Sequence, residues 1–255
     1  MQKLFDLLPP DSAITPYLEE VTSIHCEILG SDLVALYLHG SLVQNDFRPG
    51  LSDLDILGVV LGEITPTRQK RLTDQLGHEA LPVPAFGLEL IICSLGAVTS
   101  PVVQMPYEYA LSTGSEWGVQ TETKGMSSDI LINMQLCRQS SFALYGPSAV
   151  EVLGHPDSDA LRQALRDELD WHIRDLKDAS PGSSTANAVL NAARSLYAAT
   201  SGEIVSKSQG GEWWLAHEGE NDVVSQALAY RSGKTSLAPY NQSAGTFAEK
   251  VMTKL

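Results

Sequence analysis

The stretch LYLHGSLVQNDFRPGLSDLDILGVV, residues Leu36 to Val60, decides how the rest of the chain is read. It opens on an apolar run, turns at Gly40-Ser41, and returns through Asp53 and Asp55 framed by Leu54, Ile56 and Leu57. Aspartates two apart in a strand point to the same face. They offer two carboxylates at hydrogen-bonding or metal-chelating distance, and hard oxygen ligands of this kind suit Mg²⁺ carrying a nucleotide. A surface strand with two solvated acids explains the segment less well. The remaining residues are those of a buried strand, and burying two ionised carboxylates side by side is costly without a cation. Gly40-Ser41 has its own physical role: a small residue after the first strand lets the backbone and a hydroxyl approach a phosphate where a helix could start.

Outward from this segment the elements alternate. Tyr17, Leu18, Val21, Ile24, Ile28 and Leu29 give helical spacing over Thr15 to Gly30, with Gly30 as a stop, and a strand follows over Val34 to Leu38. Pro66 to Leu76 reads as a helix. FGLELIICS, residues Phe86 to Ser94, reads as a strand after the Pro82/Pro84 turn, with Glu89 its only charged residue. Helix, strand, phosphate loop, strand, helix, strand makes an α/β unit whose sheet carries Asp53, Asp55 and Glu89.

From about Ser127 the character changes. SSDILINMQLCRQSSFALYG offers Ser128 as an N-cap and Ile130, Met134, Leu136 and Cys137 as an apolar set, before Tyr145-Gly146-Pro147 breaks the chain. GHPDS, Gly154 to Ser158, reads as a link. Helices are expected over Asp159 to Lys177, over Thr185 to Thr200 with Gly202 as the stop, near Glu212 to His217, and twice more towards the C-terminus. The expected class is α+β: an N-terminal α/β domain with a mixed sheet over residues 1–155, and a C-terminal α-helical bundle domain over residues 156–255.

The chain has 255 residues, of which 43% are hydrophobic and 19% charged, enough for one large core or two smaller ones. Its net charge of −14 argues against sequence-independent duplex binding, which needs a basic stripe, and suits steering of a small cationic substrate into a cleft. Cys26, Cys93 and Cys137 are far apart and lack CxxC or Cys/His metal spacing, so they read as reduced core residues. MQKLFDLLPPDS has too short an apolar segment for a signal peptide, and no stretch approaches a membrane span. A cytoplasmic monomer without nucleic-acid or membrane partners is the expectation.

Gly-Ser followed about a dozen residues later by Asp-x-Asp, with a third carboxylate from a later strand, resembles the signature of the nucleotidyltransferase superfamily. The run NAVLNAARSLYAATSGEIVSKSQGGEWWLAH, Asn187 to His217, narrows the likeness. It resembles the C-terminal helical domain of the streptomycin/spectinomycin adenylyltransferases, aminoglycoside nucleotidyltransferases that move AMP from ATP to a drug hydroxyl. The resemblance extends from about residue 30 to 235 and takes in the HGS…SDLD segment, Glu89, Glu116-Trp117, a helix ending in FALYGP, Arg194, Ser206-Lys207 and Tyr230.

That resemblance implies ATP as co-substrate and Mg²⁺, two ions in number, held by Asp53 and Asp55 with Glu89 beside them as general base and third metal-site carboxylate. It implies that Gly40, Ser41 and Ser52 meet the triphosphate, that Arg194 and Lys207 reach the phosphates from the helical domain, and that Tyr230 lines the nucleotide site. Trp117, Glu89 and Asn187 then face the acceptor, a small cationic molecule bearing a hydroxyl. Members that modify streptomycin carry a Trp and acids approaching the Asn187 helix, where this chain reads DLKDASPGSSTAN. Trp171 and Asp178 match them only through a gap, and Ser184 stands where an acid is expected. Spectinomycin is therefore expected to be favoured over streptomycin. Two other readings stay open: a protein or other small-molecule acceptor, and a non-catalytic, antitoxin-like binding module.

Overall fold

The computed structural model describes residues 12–177 and 183–255, so the reading of the N-terminal stretch and of Asp178 lies outside the described residues. The chain divides into two compact units between Pro156 and Asp157.

The first unit holds a six-stranded sheet in the order β5-β4-β3-β2-β1-β6. Its strands are β1 (Leu33–His39), β2 (Leu54–Val60), β3 (Leu88–Ser94), β4 (Met105–Gly114), β5 (Gly118–Ser127) and β6 (Phe142–Tyr145). Only β2 and β3 run parallel; every other neighbouring pair is antiparallel. The parallel pair needs a crossover, supplied by α2 (Pro66–Leu76). Thr65 caps α2 by accepting from the Arg68 N–H, and Pro66 occupies the first helical turn, where it has no bond to lose.

Strand alternation sorts the sheet into two faces. Leu36, Leu38, Leu54, Ile56, Leu88, Leu90 and Ile92 share one core with Leu18, Val21 and Leu29 of α1 (Ile14–Leu29) and with Leu72 and Leu76 of α2. Each such side chain contributes about 1.5–3 kcal/mol on burial. α3 (Leu95–Thr99) and α4 (Asp129–Gln139) complete the first unit with the short α5 (Ala149–Val152), and α4 packs on β1 and β2. The opposite alternation carries Asp53, Asp55 and Glu89.

FALY does not end a helix. α4 stops at Gln139, and Phe142 to Tyr145 pair antiparallel with Leu36 to Leu38 of β1. An open edge of β1 needs partners for its peptide groups, and Phe142 and Leu144 pack against the core, which outweighs the helical pattern upstream. The β4–β5 hairpin is also new. Met105, Tyr107, Tyr109, Leu111 and Thr113 alternate inward along β4, while β5 is an exposed edge. Ser128 sits at the helix start without a side-chain cap bond. The chain after Gly40-Ser41 turns instead of starting a helix.

The second unit is helical: α6 (Ser158–Asp175), α7 (Ser183–Ser201), α8 (Lys207–His217), α9 (Asp222–Arg231) and α10 (Asn241–Met252). α8 begins five residues before the expected Glu212, because Ser206 and Gln209 form a reciprocal capping box. Leu190, Ala193, Trp214, Val224, Phe247 and Val251 join in one core. Among the described residues no helix is long and apolar enough to cross a membrane.

Candidate active site

Strand register assembles the acids. His39 pairs with Asp55, Asp55 with Glu89, and Glu89 with Ser112, so these four lie in one row across β1, β2, β3 and β4. Neighbouring strands are about 4.8 Å apart, which sets the spacing along the row. Asp53 precedes β2 by one residue and lies one step along from Asp55 on the same face. Asp53 and Asp55 are half-buried and Glu89 is exposed, on an inner strand of the sheet and not on its edge.

The approach of β1 is unusually close. Gly40 has φ +71°, and a Cβ there would stand 2.1 Å from Asp55 Oδ2. Only glycine satisfies both the left-handed backbone and the packing of that carboxylate. The loop behind it is pinned at intervals. The Gln44 N–H donates to the Gly40 carbonyl at 3.0 Å and the Asp46 N–H to the Ser41 carbonyl at 2.8 Å. Ser52 is buried and its Oγ accepts from the Arg48 N–H at 3.0 Å, which closes the loop just before Asp53. The Leu54 N–H then donates to the Gly87 carbonyl at 2.8 Å, tying the loop to β3.

Trp117 comes to the same place from the β4–β5 turn. A Cβ at Gly87 would be 2.5 Å from its Cζ2 and 2.8 Å from Asp53 Oδ1, so the indole and that carboxylate share the space over Gly87. His39 is nearly fully buried, and burial holds its imidazole down at about 4, which leaves it neutral at pH 7. Cys137 of α4 is pushed up by burial and then by the Asp55 charge, so it stays a thiol. The three cysteines are free.

In the helical unit, Arg194 is buried and its guanidinium meets Glu168 Oε1 at 3.4 Å. Lys207 Nζ donates to Asn187 Oδ1 at 3.3 Å. His172 feels both of these cations, and its Nε2 is 2.6 Å from Asn191 Nδ2. Burial, then the charges of Lys207 and Arg194, hold His172 down at about 3. Gly210 lets α8 press onto α7, since a Cβ there would be 2.7 Å from Arg194 Cα. Tyr230 is half-buried on α9 and packs against the helical core.

The structure thus brings Gly40, Asp53, Asp55, Glu89 and Trp117 together in the first unit, and Asn187, Arg194 and Lys207 in the second. His39, Phe86, Gly87, Glu168, His172 and Asn191 carried no expectation from the sequence alone. Gly87 had one local signal: a glycine at the mouth of an apolar strand marks a close approach.

Among the described residues no three His, Cys, Asp or Glu side chains form a metal-holding group by themselves. This arrangement fits Mg²⁺, which takes one or two carboxylates and fills its shell with phosphate oxygens and water. Asp53 and Asp55 are two hard carboxylates on one face, with the backbone of Gly40 held close.

Residues 151–254 match the family model described as the aminoglycoside adenylyltransferase C-terminal domain. The chain is 28% identical over 195 residues to the spectinomycin 9-adenylyltransferase of Staphylococcus aureus, covering 73% of this chain and 72% of that protein. It is 26% identical over 217 residues to an aminoglycoside (3'') (9) adenylyltransferase of Klebsiella pneumoniae, covering 78% of each. Among solved structures it is similar to the spectinomycin adenyltransferase AAD(9) from Enterococcus faecialis with ATP and spectinomycin, at a TM-score of 0.76 and 19% identity, covering 93% of this chain and 98% of that one. At that identity the likeness speaks for the fold. Fold and sequence together define a nucleotidyltransferase. Within that class residues 151–254 carry the aminoglycoside adenylyltransferase C-terminal domain, and the chain is similar over most of its length to adenylyltransferases of the streptomycin/spectinomycin type.

Proposed function

We propose that this protein transfers AMP from ATP to a hydroxyl of an aminoglycoside or aminocyclitol, with spectinomycin favoured over streptomycin. The observation that carries this reading is the row of Asp55 and Glu89 in register on parallel strands, with Asp53 on the same face and the Trp117 indole beside it.

The acceptor hydroxyl attacks the α-phosphorus of ATP in line, and pyrophosphate leaves. Glu89, the exposed member of the row, takes the hydroxyl proton. Asp53 and Asp55 would hold Mg²⁺, whose charge offsets that developing on the phosphoryl oxygens and the leaving group. Gly40 and Ser41 bring main-chain groups and a hydroxyl to the triphosphate, and Ser52 fixes the loop that presents them. Arg194, Lys207 and Tyr230 serve the nucleotide, with Lys207 steadied by Asn187. In a chain of net charge −14, these cations locally reverse the field for a polyanion.

Trp117 gives a cationic ring system an aromatic wall, with Glu89 as its counter-charge. Streptomycin carries two guanidinium groups, which need acids and an aromatic wall to replace their hydration. Residues 179–187 contain no carboxylate. Spectinomycin is smaller and loses less from that change, and the similarity to the spectinomycin 9-adenylyltransferase of Staphylococcus aureus supports the preference.

The test is AMP transfer and pyrophosphate release with ATP and Mg²⁺, spectinomycin and streptomycin side by side. Faster transfer to spectinomycin is expected. Streptomycin modified as fast or faster refutes the preference, and inertness towards both moves the acceptor outside the aminoglycosides.

A further inference from the structure

We infer that Phe86 is a positioning residue of the acceptor site, one that acts through Trp117 to hold the aromatic wall beside Asp53. The inference rests on the acceptor role proposed above for Trp117.

The β4–β5 hairpin closes on the pair Gly114 and Gly118, so Ser115, Glu116 and Trp117 form its tip. Ser115, Glu116 and Gly118 are exposed, and only Trp117 turns inward. Two glycines make its seat. A Cβ at Gly87 would come within 2.5 Å of Trp117 Cζ2, and one at Gly114 within 2.9 Å of the same atom. The seat gives the indole room but no grip, because a bare Cα offers few atoms to pack against.

Phe86 supplies the grip. Its ring meets that of Trp117 at 4.9 Å between centroids with the planes 60° apart, an edge-to-face contact. The Phe86 N–H donates to the Ser52 carbonyl at 3.1 Å, so this ring is anchored to the residue immediately before Asp53. The orientation of the indole is therefore set by the strand segment that carries the carboxylates, although Trp117 itself hangs from a solvent-exposed turn. A wall fixed before the acceptor arrives does not have to be ordered on binding, which favours a rigid, fused-ring acceptor.

The test is a double-variant cycle on the full-length protein, read in steady-state transfer and in the near-ultraviolet circular dichroism of the aromatic residues. Phe86→Leu is expected to raise KM for the acceptor about five-fold, within the range an edge-to-face pair supports, with kcat and KM for ATP changed less than about two-fold. Phe86→Tyr, which keeps the ring edge, restores KM. In a Trp117→Leu background Phe86→Leu adds nothing further, because its only route to the acceptor has gone. The dichroism band lost in Trp117→Leu is also largely lost in Phe86→Leu. Additive effects on KM overturn the inference, since Phe86 then touches the acceptor itself. A parallel rise in KM for ATP overturns it too, as a general structural effect, and so does an unchanged band. A wild-type protein inert towards every aminocyclitol defeats the functional reading instead, and the band alone then decides whether Phe86 fixes the indole.

Discussion

Gly40 and Asp55 are in contact through a space that no other residue type leaves: a Cβ at position 40 would lie 2.1 Å from Asp55 Oδ2, at a backbone φ of +71°. The end of β1 and the start of β2 are thereby locked together at the carboxylate row. Gly40→Ala adds about 1–2 kcal/mol of left-handed strain and also displaces the carboxylate. Transfer is expected to fall by about 100-fold or more, the order of loss that follows a 1 Å misplacement. Measured kcat/KM for this variant beside its thermal unfolding is the check, and near-normal turnover would show that Asp55 does not need this position.

The three acids should separate by role. Asp53→Asn and Asp55→Asn each remove a ligand for Mg²⁺, so ATP·Mg²⁺ binding and transfer both fail while metal-free stability holds or rises as carboxylate repulsion is relieved. Glu89→Gln should keep ATP·Mg²⁺ binding and lose on the order of 10²–10⁴-fold in the chemical step. Equilibrium nucleotide binding alongside single-turnover transfer tells these apart. If Glu89→Gln abolishes binding and spares turnover, Glu89 is a metal or structural residue.

Lys207→Ala and Arg194→Ala should both weaken ATP binding, but they should differ in stability. Lys207 is half-buried at the start of α8 and donates to Asn187, whereas Arg194 is buried and removing it leaves the largely buried Glu168 without this counter-ion. Thermal unfolding of the two variants without nucleotide is the measurement, with the larger loss expected for Arg194→Ala. Unchanged ATP affinity in both would show that neither residue serves the nucleotide.

Acid should destabilise the fold through its buried histidines. Burial holds His25 and His39 at about 4 and His172 at about 3, against 6.5 for a free imidazole. Below 6.5 the unfolded chain takes up protons that the folded chain refuses, so this stability is complete above 6.5 and is lost as pH falls towards the folded values. Each group adds a slope of about 1.4 kcal/mol per pH unit within its window. His25 is fully buried, its Nδ1 donating to the Val21 carbonyl at 2.7 Å. Urea unfolding between pH 4 and 7 should therefore show a shallower pH dependence in His25→Leu than in the wild type, and identical slopes would refute the assignment.

The sequence by itself determined the elements whose pattern is local. Apolar residues at helical spacing make α1 readable, and the apolar run framing Asp53 and Asp55 makes β2 readable, because each signal lies within a few residues of the structure it specifies. The Gly-Ser and Asp-x-Asp pieces of the site were legible for the same reason. Tertiary structure decided what depends on partners distant in the chain. FALY became a strand because β1 had an edge to fill. Asp55 and Glu89 became neighbours because β2 and β3 pair in parallel with that register, which no local periodicity encodes. Trp117 reached Asp53 only because Gly87 and Gly114, on two different strands, leave its ring a common space. A residue's type fixes its chemistry and its local spacing fixes the face it occupies, while the residue it meets across that face is set by how the strands register and pack.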